Sequence, residues 1–298
     1  MAAVAAQGRT AGNTRRALFC TSTKTIADRQ FINADHATLS ARRKEMKKRI
    51  MAATLVTTLW CLVAKTNAQV IDGDDKNQMD KSQLTILYMG NSHTKRHSVP
   101  EYVKGIIEAT DPELTVNYQL APGILFLDQR WNHGPSRKML KNNALTHVVL
   151  QAQKYSQSRR KLYSTKEAKK LVGLAQEHGS KVVMFPEWGQ RGRHWEAQYV
   201  HDIYAGIAKE SGACVAPVGL VWDDFLQQQR ITLHAMDGNH ANDKGAFLAA
   251  LVLAQGIIDT PATELAVTTT APVEAKLQKQ MQAAAAKLYQ PELTHCES

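Results

Sequence analysis

The sequence predicts an α/β domain built on a five-stranded parallel sheet with helices on both faces. Two observations carry this. Short apolar, β-prone runs alternate along the chain with segments of 10 to 17 residues at helical spacing, the pattern of repeated strand-helix-strand units. The first such run, Leu84-Thr85-Ile86-Leu87-Tyr88-Met89, stops abruptly at Gly90-Asn91-Ser92. It reads as a buried strand followed by a turn just beyond its carboxyl end, which is where ligands bind in sheets of this kind.

After that strand a helix is expected around Pro100–Ala109, opened by Ser98-Val99-Pro100-Glu101, which has the spacing of a capping box with proline near the helix start. With that cap in place Ser92 is not needed for the job, although small polar residues after a strand also serve as turn formers. Strand two is Leu114–Leu120, ending at Pro122-Gly123. Phe126–Trp131 and Arg137–Asn142 read as short helical or irregular pieces, and His147–Leu150 as strand three. Lys166–His178 repeats apolar residues at helical spacing and stops at Gly179, ahead of strand four at Lys181–Phe185. Trp195–Ser211 is a helix, Ala213–Pro217 strand five, Trp222–Gln229 a short helix and Lys244–Ile258 an apolar one. The domain runs over residues 84–260. Residues 261–298 form a C-terminal loop and an alanine-rich helix, Glu274–Tyr289, which packs on the outside of the domain or lies solvated.

The charge is unevenly placed. The chain of 298 residues has a formal net charge of +10, yet residues 1–45 hold 8 Lys/Arg against 3 Asp/Glu, residues 46–69 hold 4 against none, and the rest holds 25 against 24. The part that folds is close to neutral, so binding to nucleic acid loses its support. Residues 1–45 lack helical or strand periodicity and read as a disordered or non-native extension. A basic head at Met46-Lys47-Lys48-Arg49, the apolar run Ile50–Ala64 and small residues up to Ala68 make 46–68 a signal peptide, with Met46 the expected true start and 69–83 a linker. The expected location is secreted or periplasmic, with the membrane met only through the signal segment. Cleavage after Ala68 would leave Cys214 and Cys296. Cys214 reads first as a small apolar core residue. The histidines show no metal-binding spacing, and no glycine-rich nucleotide loop follows any strand, so neither metal nor cofactor is implied.

The candidate chemistry lies at two places far apart in the chain. Asp237-Gly238-Asn239-His240 sits in a polar loop before the last large helix, almost 150 residues after Ser92. A serine, a histidine and an aspartate brought to one sheet edge are the nucleophile, base and orienter of a hydrolase.

Gly90-Asn91-Ser92-His93-Thr94 resembles the first sequence block of the SGNH, or GDSL-like, hydrolases, and Asp237-Gly238-Asn239-His240 resembles their last block. The resemblance spans roughly Leu84 to Thr260. It implies a flavodoxin-like three-layer α/β/α domain in which Ser92 attacks an ester carbonyl, His240 is the base and Asp237 orients it. By the same resemblance Gly123 stands for the second block, so that the Ser92 and Gly123 N–H groups face the oxyanion. The third block, usually Gly-x-Asn-Asp, is replaced by Gln151-Ala152-Gln153. This resembles a branch of the superfamily that carries Leu-Gln here and a tryptophan after the fourth strand, where this chain has Trp188. A glutamine amide donates as asparagine does, and Gln153 is favoured over Gln151 as third donor because it is nearer the loop.

The expected activity is that of an exported serine esterase working through an acyl-enzyme. Trp131, Trp188, Trp195 and Tyr155 fall on loops or element ends, and aromatic faces suit sugar rings, so Trp131 and Trp188 are taken as substrate-binding and a carbohydrate O-acetylesterase as the preferred reading. The partner is then a small-molecule or glycan ester. The alternatives are a non-catalytic glycan-binding protein on the same fold, or a lipase or acyltransferase; a lipase is opposed by the lack of a long apolar lid.

Overall fold

A computed structural model describes residues 83–289; the expected extension, signal peptide and almost all of the linker, with Cys20, Cys61 and Cys296, lie outside the described residues. Five parallel strands form one sheet in the order β2-β1-β3-β4-β5: β1 Gln83–Met89, β2 Thr115–Leu120, β3 His147–Leu150, β4 Lys181–Met184 and β5 Cys214–Val215. This is the flavodoxin-like order, whose switch point lies between β1 and β3. The two strands pair from Ile86↔His147 to Met89↔Leu150.

Alternate side chains of each central strand go to opposite layers, as the period of two requires. Ile86, Tyr88, Val149 and Val183 pack on one face, against α2 (Val99–Thr110), α7 (Val218–Gln228) and α8 (Asp243–Ile257). Leu87, Met89, Val148, Leu150, Val182 and Met184 pack on the other. That face is covered by α3 (Leu127–Asn132), α4 (Gly134–Leu140), α5 (Lys166–Gln176) and α6 (Glu196–Ser211). Helix α8 is apolar on nearly all sides and is correspondingly buried on nearly all sides.

Where the structure departs from the sequence reading, the reasons are local. Ser98 precedes α2 but makes no capping bond, because His97 and Ser98 both take left-handed conformations (φ 54° and 52°) that turn the chain sharply. His97 Nδ1 then meets Asp243 Oδ1 at 2.7 Å, tying this corner to the start of α8. Helix α7 starts four residues earlier than expected. Val218-Gly219 looks like loop, but Gly219 is there for contact, since a Cβ would stand 2.8 Å from the Glu187 carbonyl oxygen. Cys214 is disulfide-bonded rather than a plain core thiol, and its partner lies outside the described residues.

The C-terminal helix α9 (Ala275–Lys287) is packed, not solvated. Met281, Ala284 and Ala285 enter the core beside α8. Buried glutamines staple the connection: Gln255 donates to the Ala285 carbonyl at 3.1 Å and accepts from Ala262 N–H at 3.0 Å, while Gln278 both accepts from Thr268 N–H and donates to its carbonyl. Its alanines allow the close approach that these bonds need.

Candidate active site

β1 ends in the middle of the sheet, and its last residue is followed by a peptide held from both ends. Asn91 N–H donates to Gln151 Oε1 at 2.8 Å, and the Gly90 carbonyl accepts from Arg130 Nη2 at 2.6 Å. Only glycine fits at position 90, because a Cβ would lie 2.1 Å from Thr94 Oγ1 and 2.6 Å from Gln151 Oε1. The following helix α1 (Ser92–Lys95) is a single turn capped by Asn91, whose Oδ1 accepts from His93 N–H at 2.9 Å. Ser92 is therefore free of capping, as expected, though Asn91 and not the Ser98 segment does the work.

The distant loop arrives opposite. Ser92 Oγ lies 2.8 Å from His240 Nε2, and His240 Nδ1 lies 2.7 Å from Asp237 Oδ2. Asp237 Oδ1 accepts from the N–H groups of Asn239 and His240 at 3.0 and 2.9 Å. Those bonds, the Asn239 N–H first and the His240 ring next, hold its carboxyl well below the usual carboxylate range. Arg96 Nη1 adds a contact to Oδ2 at 3.3 Å. The loop is shaped by its own backbone: Gly238 is left-handed (φ 67°), Ala235 N–H bonds the His240 carbonyl, and Arg191 N–H bonds the Gly238 carbonyl.

His93, next to Ser92, makes contacts that the sequence reading did not single out. Its ring stacks on His240 (centroids 5.0 Å, 27° between planes) and lies 5.2 Å from Trp188. Burial, followed by the nearby His240, lowers its pKa to about 4, so it is neutral at ordinary pH. Adjacency to the serine is the one sequence signal by which it could have been found.

Gly123 has φ 77°, and among the described residues neither its N–H nor that of Ser92 donates to another group. Both are left without a protein acceptor among the described residues.

Four expected site residues, two glutamines and two tryptophans, are placed otherwise. Gln153 is not aimed at the site. Its Nε2 donates to the carbonyls of Lys154 and Ser164, both at 3.0 Å, tying loop backbone together. Residues two apart share a face only in an extended chain, and Ala152 breaks the extension with φ 78°. Gln151 is buried against the nucleophile turn, but as an acceptor: Oε1 takes Asn91 N–H and the Thr94 hydroxyl at 3.0 Å. Its Nε2 makes no hydrogen bond of ordinary geometry and lies close enough to Glu187 to favour that carboxyl's ionised form.

The tryptophans also change role. Trp188 is 2% exposed and stacks on Trp222 (4.4 Å, 8°), so it is no substrate platform. Its Nε1 donates to the Asn239 carbonyl at 2.9 Å and so supports the loop that carries Asp237 and His240. Trp131 lies in the α3–α5 layer with the cations of Arg137 and Lys170 over its ring at 5.7 and 5.1 Å. Both placements follow from size: large rings at element ends are more often covered than displayed. Among the described residues there is no His/Cys/Asp/Glu cluster suited to a metal.

With that geometry in hand, comparison with known proteins identifies the fold. No protein-family model matches the chain, and no curated protein does. Among solved structures it is similar to a DUF4886 family protein from Bacteroides uniformis, at 16% identity over 69% of this chain and 94% of that one, with a TM-score of 0.56. A protein assigned to the SGNH hydrolases from Slackia heliotrinireducens is 23% identical over 58% of this chain and 98% of that one, with a TM-score of 0.45. An acetyl xylan esterase from Geobacillus stearothermophilus is 15% identical over 58% and 91%, with a TM-score of 0.43. The fold is shared with the DUF4886 family protein. At these identities the likeness speaks to fold, and the chemistry rests on the residues described above.

Proposed function

We propose that the chain is an exported serine esterase that cleaves carboxylic esters through an acyl-enzyme. The observation that carries this is the continuous relay of Ser92 Oγ, His240 and Asp237, at 2.8 and 2.7 Å, beyond the carboxyl end of β1. Ser92 Oγ attacks the ester carbonyl while His240 Nε2 takes its proton. The carbonyl oxygen becomes an oxyanion facing the Ser92 and Gly123 N–H groups, and Asp237 stabilises the imidazolium. The intermediate collapses, the alcohol leaves with the proton from His240, and water activated by the same histidine releases the acid. His240 needs a carboxylate beside it that stays ionised, and the hydrogen bonds that Asp237 accepts favour that form.

The substrate we favour is a carbohydrate O-acetyl ester. With Trp131 and Trp188 withdrawn, support comes from Phe126 and Tyr163, which are 40% and 38% exposed on loops beyond the carboxyl ends of β2 and β3. A lysine stands over each ring, Lys154 over Phe126 at 5.2 Å and Lys161 over Tyr163 at 4.7 Å, so the C–H surface of a pyranose would meet the opposite face. Export rests on the Met46–Ala68 segment alone.

Hydrolysis of p-nitrophenyl acetate by the purified full chain, set against its Ser92→Ala form, tests the mechanism. Equal turnover by the two proteins, or none by either, would overturn it. A panel of acetylated glycans and of longer acyl esters tests the substrate, with preference for the glycans expected. N-terminal sequencing after expression tests export, with Gln69 the expected mature start.

A further inference from the structure

The relay accounts for Ser92, His240 and Asp237 but leaves one buried charge unexplained. Arg130 is completely buried, and no carboxylate pairs with it among the described residues. Leaving a guanidinium in such a place is unfavourable unless its donors are used. Both Nη groups are used, three of their four bonds going to backbone carbonyls, while Nε is buried without a partner among the described residues. Nη2 donates to the Gly90 carbonyl at 2.6 Å and the Gly123 carbonyl at 3.3 Å; Nη1 donates to the Pro122 carbonyl and to Ser136 Oγ, both at 3.2 Å. Burial lowers its pKa to about 10, still far above neutrality, so the cation persists. A second cation joins it. Lys95, at the end of α1, donates to the carbonyls of Ala121 and Gly123 at 3.0 and 2.8 Å.

The consequence lies in peptide geometry. In a trans peptide the C=O and the next N–H point in opposite directions. With the Pro122 carbonyl drawn onto Arg130, the Gly123 N–H must point away from the guanidinium. In an extended chain the next carbonyl would face the other way, but Gly123, left-handed at φ 77°, turns its own carbonyl onto the same cation. The Gly90 carbonyl is fixed by the same Nη2, so one side chain registers the turn before Ser92 against the turn that carries Gly123.

We propose that Arg130, assisted by Lys95, is the positioning residue that aims the Gly123 N–H at the oxyanion and holds that turn in register with Ser92. This rests on the esterase reading for its catalytic meaning, but the orientation it assigns to the peptide does not. Its unpaired charge, beneath two peptides of the site, also favours negative charge above them.

The test uses the full chain with Arg130→Lys and Arg130→Met. Against p-nitrophenyl acetate, kcat is expected to fall about 10²-fold in Arg130→Met, with KM within about threefold, because a misaimed donor is felt in the transition state. Arg130→Lys keeps the charge but not the fork, and is expected to lie between parent and Arg130→Met. In 15N-labelled protein in the Ser92→Ala background, where turnover plays no part, the Gly123 and Asn91 amides are expected to lose order on Arg130→Lys. A folded Arg130→Lys protein with kcat within threefold of the parent and unchanged Gly123 and Asn91 amides overturns the proposal. If the parent hydrolyses no ester, the esterase reading fails, and the amide measurement alone decides the role of Arg130. If neither Arg130 variant folds, Lys95→Met decides instead, since half-buried Lys95 holds the same carbonyl: a three- to tenfold fall in kcat supports the clamp, and no change overturns it.

Discussion

The two halves of the site are held in opposite ways. The nucleophile turn is fixed from beneath by buried side chains: Gln151 and Thr94 on one side of the Gly90–Asn91 peptide, Arg130 on the other. The Asp237–His240 loop is fixed mainly by its own backbone, and the Asp237 side chain is 43% exposed. Buried partners tie function to stability, because removing one leaves an orphaned polar group in the core. An exposed loop separates the two, since water takes up what a lost side chain leaves. Mutations on the loop side should therefore silence the protein without unfolding it, whereas mutations beneath the serine should do both.

The sharpest way to break this comparison is at the relay. His240→Ala and Ser92→Ala are each expected to lower ester turnover by about 10⁴-fold or more, and the double variant should be hardly worse than either single one. Asp237→Asn should lose about 10²–10⁴-fold. None should shift Tm by more than about 2 °C, because Asp237 is exposed and neither Ser92 nor His240 is fully buried. Additive losses, or a large fall in Tm for Asp237→Asn, would mean that the exposed half is as deeply built in as the buried half.

Next in size is the floor under the serine. Gly90→Ala places a methyl group inside the van der Waals reach of Thr94 Oγ1 and Gln151 Oε1 and should prevent stable folding or remove several kcal/mol. Gln151→Ala leaves the Asn91 N–H without an acceptor and opens a cavity, and is expected to cost about 2–4 kcal/mol along with activity. Urea denaturation followed by circular dichroism measures both. A Gln151→Ala protein of parental stability would show that the turn does not depend on what lies beneath it.

These contrasts explain what was legible in the sequence. The strands and the relay residues are carried by local signals: an apolar run ended by Gly-Asn-Ser, and Asp and His three apart before a helix. The buried floor is not local. Arg130 shares a helix face with Leu127, and nothing in the sequence tells a buried arginine there from a solvated one; only the carbonyls of three residues it reaches decide. The glutamines misled for a related reason. Donor and acceptor ends of an amide look alike in sequence, and the left-handed turn at Ala152, which sends Gln153 to the loop, has no glycine to announce it. Trp188 was legible as a feature after β4 but not as a buried one, because its cover, Trp222, comes from α7.

A smaller effect concerns Glu187, on the buried side, next to Gln151. It is 4% exposed, and burial pushes its carboxyl up to about 7 despite the Tyr204 hydroxyl at 3.1 Å. A carboxyl with a raised pKa binds its proton more tightly in the folded protein than in the unfolded one. Its contribution is thus fully present below about pH 4.5 and is lost as pH rises through about 7, amounting to about 3 kcal/mol at most. Glu187→Gln should flatten the decline in unfolding free energy between pH 5 and pH 8 relative to the parent. An identical slope in the two proteins would mean that Glu187 is already ionised at pH 5.

The smallest effect is expected at Gln153, and it sharpens the comparison because Gln153 is as buried as Gln151, at 3% exposure, yet belongs to neither half of the site. Its amide bridges Lys154 and Ser164 and so closes the base of the loop between β3 and α5. Its backbone N–H donates to the Tyr204 hydroxyl at 2.9 Å, a bond that survives truncation of the side chain. Gln153→Ala then removes two neutral hydrogen bonds whose carbonyl partners lie at a loop that water can reach, a loss of about 1–2 kcal/mol. Turnover should stay within about threefold of the parent, and the loop from Lys154 to Ser164 should be cut faster by protease. Kinetics and limited proteolysis on the same preparation read both. A fall in kcat of about 10²–10³ with KM unchanged would return Gln153 to the oxyanion, since that is what loss of one donor does. Burial alone would then be a poor guide to which side chains beneath the sheet edge take part in the chemistry.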